Sequence, residues 1–178
     1  LGMAEILDKC KEAERRGIRS IALQSGEIST DREVDFIAGL VSTIRELSVR
    51  DGSRGLGITL SCGELSYTGY KKLFDAGAHR YLLRIETSDR ELFRSIHPDK
   101  QLFERRLECL AMLKDIGYQV GTGIMIGLPG QSCHHLAKDL EFFARLDIDM
   151  LGMGPYIPHP QTPLFRSSEP ALSDSYTT

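Results

Sequence analysis

Residues 81–90, YLLRIETSDR, decide the fold of this chain. The run opens as a short apolar, partly β-branched strand of the kind that is buried on both faces. It then places two charges, Arg84 and Glu86, two positions apart at its end. Side chains two apart on a strand share a face, and charges facing an interior are costly unless they are paired or bind something. A strand that is apolar in its body and polar at its C-terminal end belongs to parallel β/α architectures, whose ligands collect at those ends.

Working outward, the same rhythm recurs. Strands are predicted near 18–25, 56–61, 80–86, 118–126 and 149–157, separated by periodic helical stretches such as MAEILDKCKEAERR, STDREVDFIAGLVSTIRELSVRDG and LFERRLECLAMLKDIG. Strands alternating with helices of this length imply parallel β/α units with right-handed crossovers. Five units fit an open doubly wound sheet or part of a (β/α)8 TIM-type barrel, and the placement of polar residues favours the barrel. Every predicted strand runs into polar or glycine-containing positions: Gln24 to Glu27, Ser61 to Glu64, Arg84 to Thr87, Gly127 to Gln131, and Tyr156 to His159. The plainer reading of these segments is solvated βα loops. A full barrel takes about 200 to 250 residues and this chain has 178. We therefore expect residues 1–165 to form an incomplete barrel core, an internal piece of a larger enzyme, and 166–178, RSSEPALSDSYTT, to be a flexible tail.

Composition limits the functions. The chain is 41% hydrophobic and 26% charged, with a net charge of −3, which suits a globular unit with a sizeable core and gives no basic surface for nucleic acid. No apolar run reaches the roughly 18 residues of a membrane span, and LGMAEILDKCKEAERRG reads as an amphipathic helix rather than a signal peptide. The expectation is a cytoplasmic protein without membrane or nucleic-acid partners. Cys10, Cys62, Cys109 and Cys133 are too scattered for a zinc site or a disulfide framework.

The succession IALQSGE, ITLSCGE, RYLLRIETSDRELFRSIHP, FERRLECLAMLKDIGYQVGTGIMIGLPGQS and DMLGMGPYIPHPQTPL resembles the central part of radical S-adenosylmethionine (SAM) enzymes of the biotin synthase-like group. It is most similar to the [FeFe]-hydrogenase maturases of the HydE type. GLPGQ alone is unspecific; LLR-x-ET, GLPGQ and GPYIPHPQTPL in this order are specific. The resemblance implies a [4Fe-4S] cluster held by a CxxxCxxC loop and SAM on its open iron. It also implies reductive cleavage of SAM to a 5′-deoxyadenosyl radical, acting on a small-molecule or iron-complex substrate alongside hydrogenase maturation proteins. Biotin synthase and methylornithine synthase are sibling readings; a non-catalytic SAM-binding or scaffold module is the reading from another class. The chain contains no CxxxCxxC, so by itself it is expected to hold no cluster and to be inactive.

The resemblance also assigns roles by position. Ser25, Gly26 and Glu27 match a loop contacting the SAM amino group, and Glu64 belongs to a similar Gly-Glu pair. Glu86 matches the acidic residue that accepts from the ribose hydroxyls, and Arg106 an arginine reaching the SAM carboxylate. Met125, Ile126, Tyr156 and Ile157 match positions lining the cofactor pocket. Arg84 suits either the SAM carboxylate or an anionic substrate group, with Thr59 and Ser61 beside the substrate. Each has a structural alternative: a polar turn for 25–27, an Arg84–Glu86 ion pair, an exposed helical arginine at 106 with Arg105 as its rival, and core packing for the apolar positions. His97, His134 and His135 read as solvated, and His159 as a structural loop histidine.

Overall fold

The structure, a computed structural model, describes residues 2–50 and 56–167. Five strands, β1 (Ser20–Gln24), β2 (Gly57–Ser61), β3 (Arg80–Leu82), β4 (Gln119–Ile126) and β5 (Met150–Pro155), follow one another in the sheet in chain order. The registers of β1 on β2, β2 on β3 and β4 on β5 are all parallel. Among the described residues α1 (Met3–Arg15) precedes β1, and five α-helices fill the connections: α2 (Asp31–Arg50), α3 (Tyr67–Asp75), α4 (Arg90–Ile96) with α5 (Phe103–Ile116), and α6 (Cys133–Leu146). This is the expected parallel β/α architecture. The tail lies outside the described residues from 168 onward; residues 163–167 form a short 3₁₀ turn.

Chain contacts divide the molecule into two compact units. Unit 1 comprises residues 1–83 with 108–120, and unit 2 comprises 84–107 with 121–178.

In unit 1, local signals place the helices. Thr30 and Glu33 cap α2 reciprocally: the Thr30 hydroxyl accepts the Glu33 N–H, and Glu33 Oε2 accepts the N–H groups of Ser29 and Thr30. These bonds hold the Glu33 carboxyl below its ordinary pKa, the Ser29 amide contributing most. Ser66 caps α3 by accepting the Gly69 N–H. The core joins Leu40, Val41 and Ile44 of α2 to Ile58 and Leu60 of β2 and to Tyr70 and Leu73 of α3, all buried. Each such side chain is worth about 1.5 to 3 kcal/mol of burial. Three tyrosines finish it: Tyr70 and Tyr118 both meet Tyr81 edge-on, at 5.0 and 5.6 Å between ring centroids.

In unit 2, β4 and β5 approach unusually closely. A Cβ on Gly123 would lie 2.0 Å from the carbonyl oxygen of Gly152, on the paired strand. Gly123→Ala is therefore expected to force β5 off β4 and destabilise the protein by roughly 2 to 3 kcal/mol, read as a lowered urea midpoint. A wild-type midpoint would show that the pair can open without cost.

Candidate functional site

The predicted strand at 80–86 ends early, and the reason lies at Ile85. Regular β3 stops at Leu82. The Ile85 N–H is then taken by the side chain of Thr122, at 3.1 Å to Oγ1, rather than by a strand carbonyl. Pairing resumes for one residue: the Glu86 N–H donates to Gly123 O at 2.9 Å, and Glu86 O accepts the Met125 N–H at 3.1 Å. Glu86 achieves this at φ 63, in the left-handed region, which costs a residue with a Cβ roughly 1 to 2 kcal/mol. The alternation of burial continues through it, with Tyr81, Leu83, Ile85 and Thr87 buried and Arg84 and Glu86 half-buried.

Arg84 and Glu86 therefore share a side as expected, and they pair, Arg84 Nε to Glu86 Oε1 at 2.9 Å. Arg84 also donates through Nη2 to the Ile124 carbonyl at 2.9 Å. The other carboxylate oxygen, Glu86 Oε2, is buried with no hydrogen-bond partner in the structure, although the side chain keeps 18% exposure against 36% for Arg84. The ion pair thus forms and still leaves one acceptor unused.

Arg106 is buried rather than an exposed helical arginine, at 6% exposure. It donates to the Arg84 carbonyl and lies over the Phe93 ring, 5.9 Å from its centroid. Its rival Arg105 remains half-buried on the same helix. Met125 is half-buried and Ile126 is exposed at the end of β4. Tyr156 follows β5, its N–H bonded to Ile126 O at 2.7 Å and its hydroxyl buried without a partner. Ile157 is 77% exposed.

Two polar residues of unit 2 carry more than the sequence suggested. Gln131 is buried and closes the GLPGQ loop, its Oε1 accepting the N–H groups of Gly127 (2.7 Å) and Leu128 (3.3 Å) and its Nε2 donating to Met125 O at 2.9 Å. Asp139, fully buried on α6, accepts the Ser88 N–H at 2.6 Å. Burial pushes its carboxyl above the ordinary value, against the Ser88 hydrogen bonds. A visible signal existed for it, a lone acid spaced at i, i+3 and i+4 from Phe142 and Phe143 on the buried stripe of α6. His97 is not simply solvated: its ring stacks on Phe93 with centroids 3.7 Å apart. His135 caps α6 by accepting the Ser132 N–H at 2.9 Å, and His134 is exposed.

In unit 1, the loop after β1 meets the loop after β2. The Ser25 N–H donates to Ser61 O and the Ile28 N–H to Cys62 O, both at 3.1 Å. Gly63 at φ 85 lies directly under Glu27, where a Cβ would be 2.7 Å from the Glu27 Cγ. Its carbonyl accepts both the Tyr81 hydroxyl (2.9 Å) and the Tyr70 hydroxyl (3.2 Å), while burial drives both phenols well above their ordinary pKa. Ser25, Gly26 and Glu27 are exposed, and Glu64 is half-buried. Thr59 and Ser61 share the half-buried face of β2, opposite Ile58 and Leu60. A cavity of about 580 Å³ in the same unit is apolar in most of its lining, from Ile6 and Cys10 to Leu40 and Cys62, with Gln24 and Ser25 in its wall. Burial raises the thiols of Cys10 and Cys62.

Comparison with known proteins supplies the family. The radical SAM superfamily model matches residues 1–143. The chain belongs to the radical SAM superfamily. Among curated relatives, it is 44% identical over 90% of its length to the [FeFe] hydrogenase maturase subunit HydE of Thermotoga maritima, covering 43% of that protein. It is 28% identical over 93% of its length to a biotin synthase of Pelotomaculum thermopropionicum, covering 49% of it. Among solved structures, methylornithine synthase superposes with a TM-score of 0.80 at 28% identity, over 93% of this chain and 47% of that one. The chain thus spans less than half the length of these relatives, and its fold is that of the barrel-type β/α enzymes of the radical SAM superfamily. Among the described residues no helix is long and apolar enough to cross a membrane.

Membership implies SAM and a [4Fe-4S] cluster, and the two fare differently against the residues present. The unpartnered, buried Glu86 Oε2 fits a ligand hydroxyl. The cysteines do not fit a cluster: they stand at 10, 62, 109 and 133 in the sequence, and no group of three metal-ligating side chains occurs among the described residues.

The left-handed φ of Glu86 separates its backbone from its carboxylate. Glu86→Gly should be more stable than Glu86→Ala by about 1 kcal/mol, although both lack the carboxylate, and thermal melts of the two variants check this. In unit 1, Tyr81→Phe is expected to cost about 1 kcal/mol through its lost bond to Gly63, measured by urea unfolding.

Proposed function

We propose that this chain supplies part of the SAM-binding barrel of a radical SAM enzyme of the HydE type, which acts in maturation of the hydrogenase H-cluster. The observation that carries this reading is the 44% identity to HydE over 90% of the chain. SAM, when held here, would supply radical chemistry. The residues of unit 2 act on the cofactor by binding and orientation. Glu86 Oε2 accepts a ribose hydroxyl, a charge-assisted bond for which the carboxylate is already oriented by its pairing with Arg84. Arg84 is held to Ile124 O and to Glu86, and its half-exposed guanidinium anchors an anionic group of SAM or substrate. Arg106 supports this arrangement from below by gripping the Arg84 carbonyl. Met125, half-buried at the end of β4 and tied through its carbonyl to Gln131, would hold the adenine. No step is assigned to the cluster, because this chain's cysteines do not fit it.

The substrate in this reading is a small molecule or iron complex handed on among hydrogenase maturation proteins. A second reading, an activity like that of methylornithine synthase, is supported by the TM-score of 0.80 to that enzyme. Complementation separates them: a HydE whose matching segment is replaced by this chain, so that the cluster loop comes from the recipient protein, should restore hydrogenase activity in a host lacking its own HydE. Failure there, with methylornithine formed instead, would favour the second reading. Glu86→Ala is expected to weaken SAM binding by roughly 1 to 3 kcal/mol, the scale of a lost charge-assisted hydrogen bond, by titration calorimetry. Unchanged affinity would remove Glu86 from the site.

A further inference from the structure

We infer that Asp139 is a positioning residue for Glu86: from α6 it clamps the turn at Ser88 and so holds the Glu86 carboxylate in its binding orientation. The inference rests on the reading above that Glu86 accepts from the SAM ribose. The geometry is confined to unit 2. Glu86 itself is pinned to β4 by its own N–H and C=O. Those bonds set its left-handed φ, and the turn that follows needs an anchor of its own to hold the carboxylate steady above that strained residue. The anchor on the C-terminal side is the Asp139 carboxylate, 2.6 Å from the Ser88 nitrogen.

Three observations make this more than one stray hydrogen bond. First, Asp139 is fully buried among Phe142 and Phe143. A buried carboxylate there is costly, and a leucine would fill the stripe more cheaply, so the bond to Ser88 is what the acid provides. Second, α6 grips the next residue as well: Asp89 Oδ2 lies 3.3 Å from Lys138 Nζ and 3.9 Å from His135 Nε2. Third, the turn between is closed from within. Thr87 is fully buried and accepts the Asp89 N–H at 3.2 Å, while Asp89 caps α4 by accepting the N–H groups of Glu91 and Leu92. Residues 86–89 thus run from β4 contacts to α6 contacts with no free joint, and Asp139 makes the first backbone bond after Glu86. That bond needs an acceptor oxygen and not a charge, so asparagine can replace the acid and leucine cannot.

The test uses the full 178-residue chain, with SAM as the probe, and reads SAM affinity by titration calorimetry and amide hydrogen exchange at Ser88 without ligand. Affinities are compared at a temperature where urea unfolding shows every variant folded, and Asp139→Ala stands in if Asp139→Leu does not fold. Asp139→Leu should raise the SAM Kd about tenfold and speed Ser88 exchange by a similar factor, and Asp139→Asn should stay within about twofold of wild type in both. In a Glu86→Ala background, Asp139→Leu should weaken SAM binding no further, because both changes remove one interaction. Equal losses in the two backgrounds, or an Asn variant as impaired as Leu, would reduce Asp139 to a general stability role and overturn the inference. If Glu86→Ala weakens binding while Asp139→Leu does not, the positioning role fails alone. If Glu86→Ala leaves SAM affinity unchanged, the ribose reading fails and the inference with it.

Discussion

Regular β3 stops at Leu82 and pairing resumes for one residue at Glu86, and the hydrogen bonds around Glu86 in unit 2 answer that interruption. Thr122 takes the amide that the ladder leaves over, Gly123 and Met125 take the backbone of Glu86, and the residue accepts a left-handed φ to satisfy both. A buried amide or carbonyl without a partner costs more than a mildly strained torsion, which is why strain is tolerated at this point. The outcome is a carboxylate whose backbone is held to β4 by both its N–H and its C=O and whose buried second oxygen has no hydrogen-bond partner.

The same solution recurs where β2, β3 and β4 give way to loops. Gln131 stands in for missing ladder partners after β4, Tyr70 and Tyr81 share the carbonyl of Gly63 after β2, and Arg106 takes the carbonyl of Arg84. In each case a long side chain from a neighbouring element satisfies main-chain groups that regular pairing abandons. These residues make the strand ends rigid without covering them, as a binding site on parallel strands requires. Arg106 in particular spends its guanidinium on the main chain and on the Phe93 ring, so it acts through Arg84 as well as through any ligand it reaches.

Much of this was legible in the sequence. Five strands and the helices between them followed from periodicity and caps, with strand ends placed within one or two residues except at the end of β3, and the sidedness of Arg84 and Glu86 followed from period 2. The motifs at 81–90 and 127–131 resembled the family that comparison then showed. What stayed hidden were interactions over long sequence separation. Nothing near Ile85 announces that Thr122, 37 positions away, will take its amide, so the strand looked continuous to Glu86. Arg106 read as an arginine reaching the SAM carboxylate, with an exposed helical position as its alternative, and only the tertiary structure shows it buried on Phe93 and donating to the Arg84 carbonyl. His97 read as solvated, and its stacking on Phe93 is likewise tertiary. Asp139 was visible as an acid on an apolar stripe, but its partner, 51 positions earlier, was not.

The sequence by itself determined the order and type of the elements, the polar strand ends and the family, because these depend on local periodicity, caps and short motifs. It also determined that this chain lacks closely spaced cysteines for a cluster, which is a matter of spacing alone. Only the tertiary structure decided which polar groups are spent and which remain available. Whether Arg84 is paired, whether Glu86 keeps an unused oxygen and whether Asp139 reaches the turn depend on where distant backbone groups lie when the chain has folded. Hydrogen bonds a few tenths of an ångström within or beyond reach settle such questions, and no local pattern carries that information.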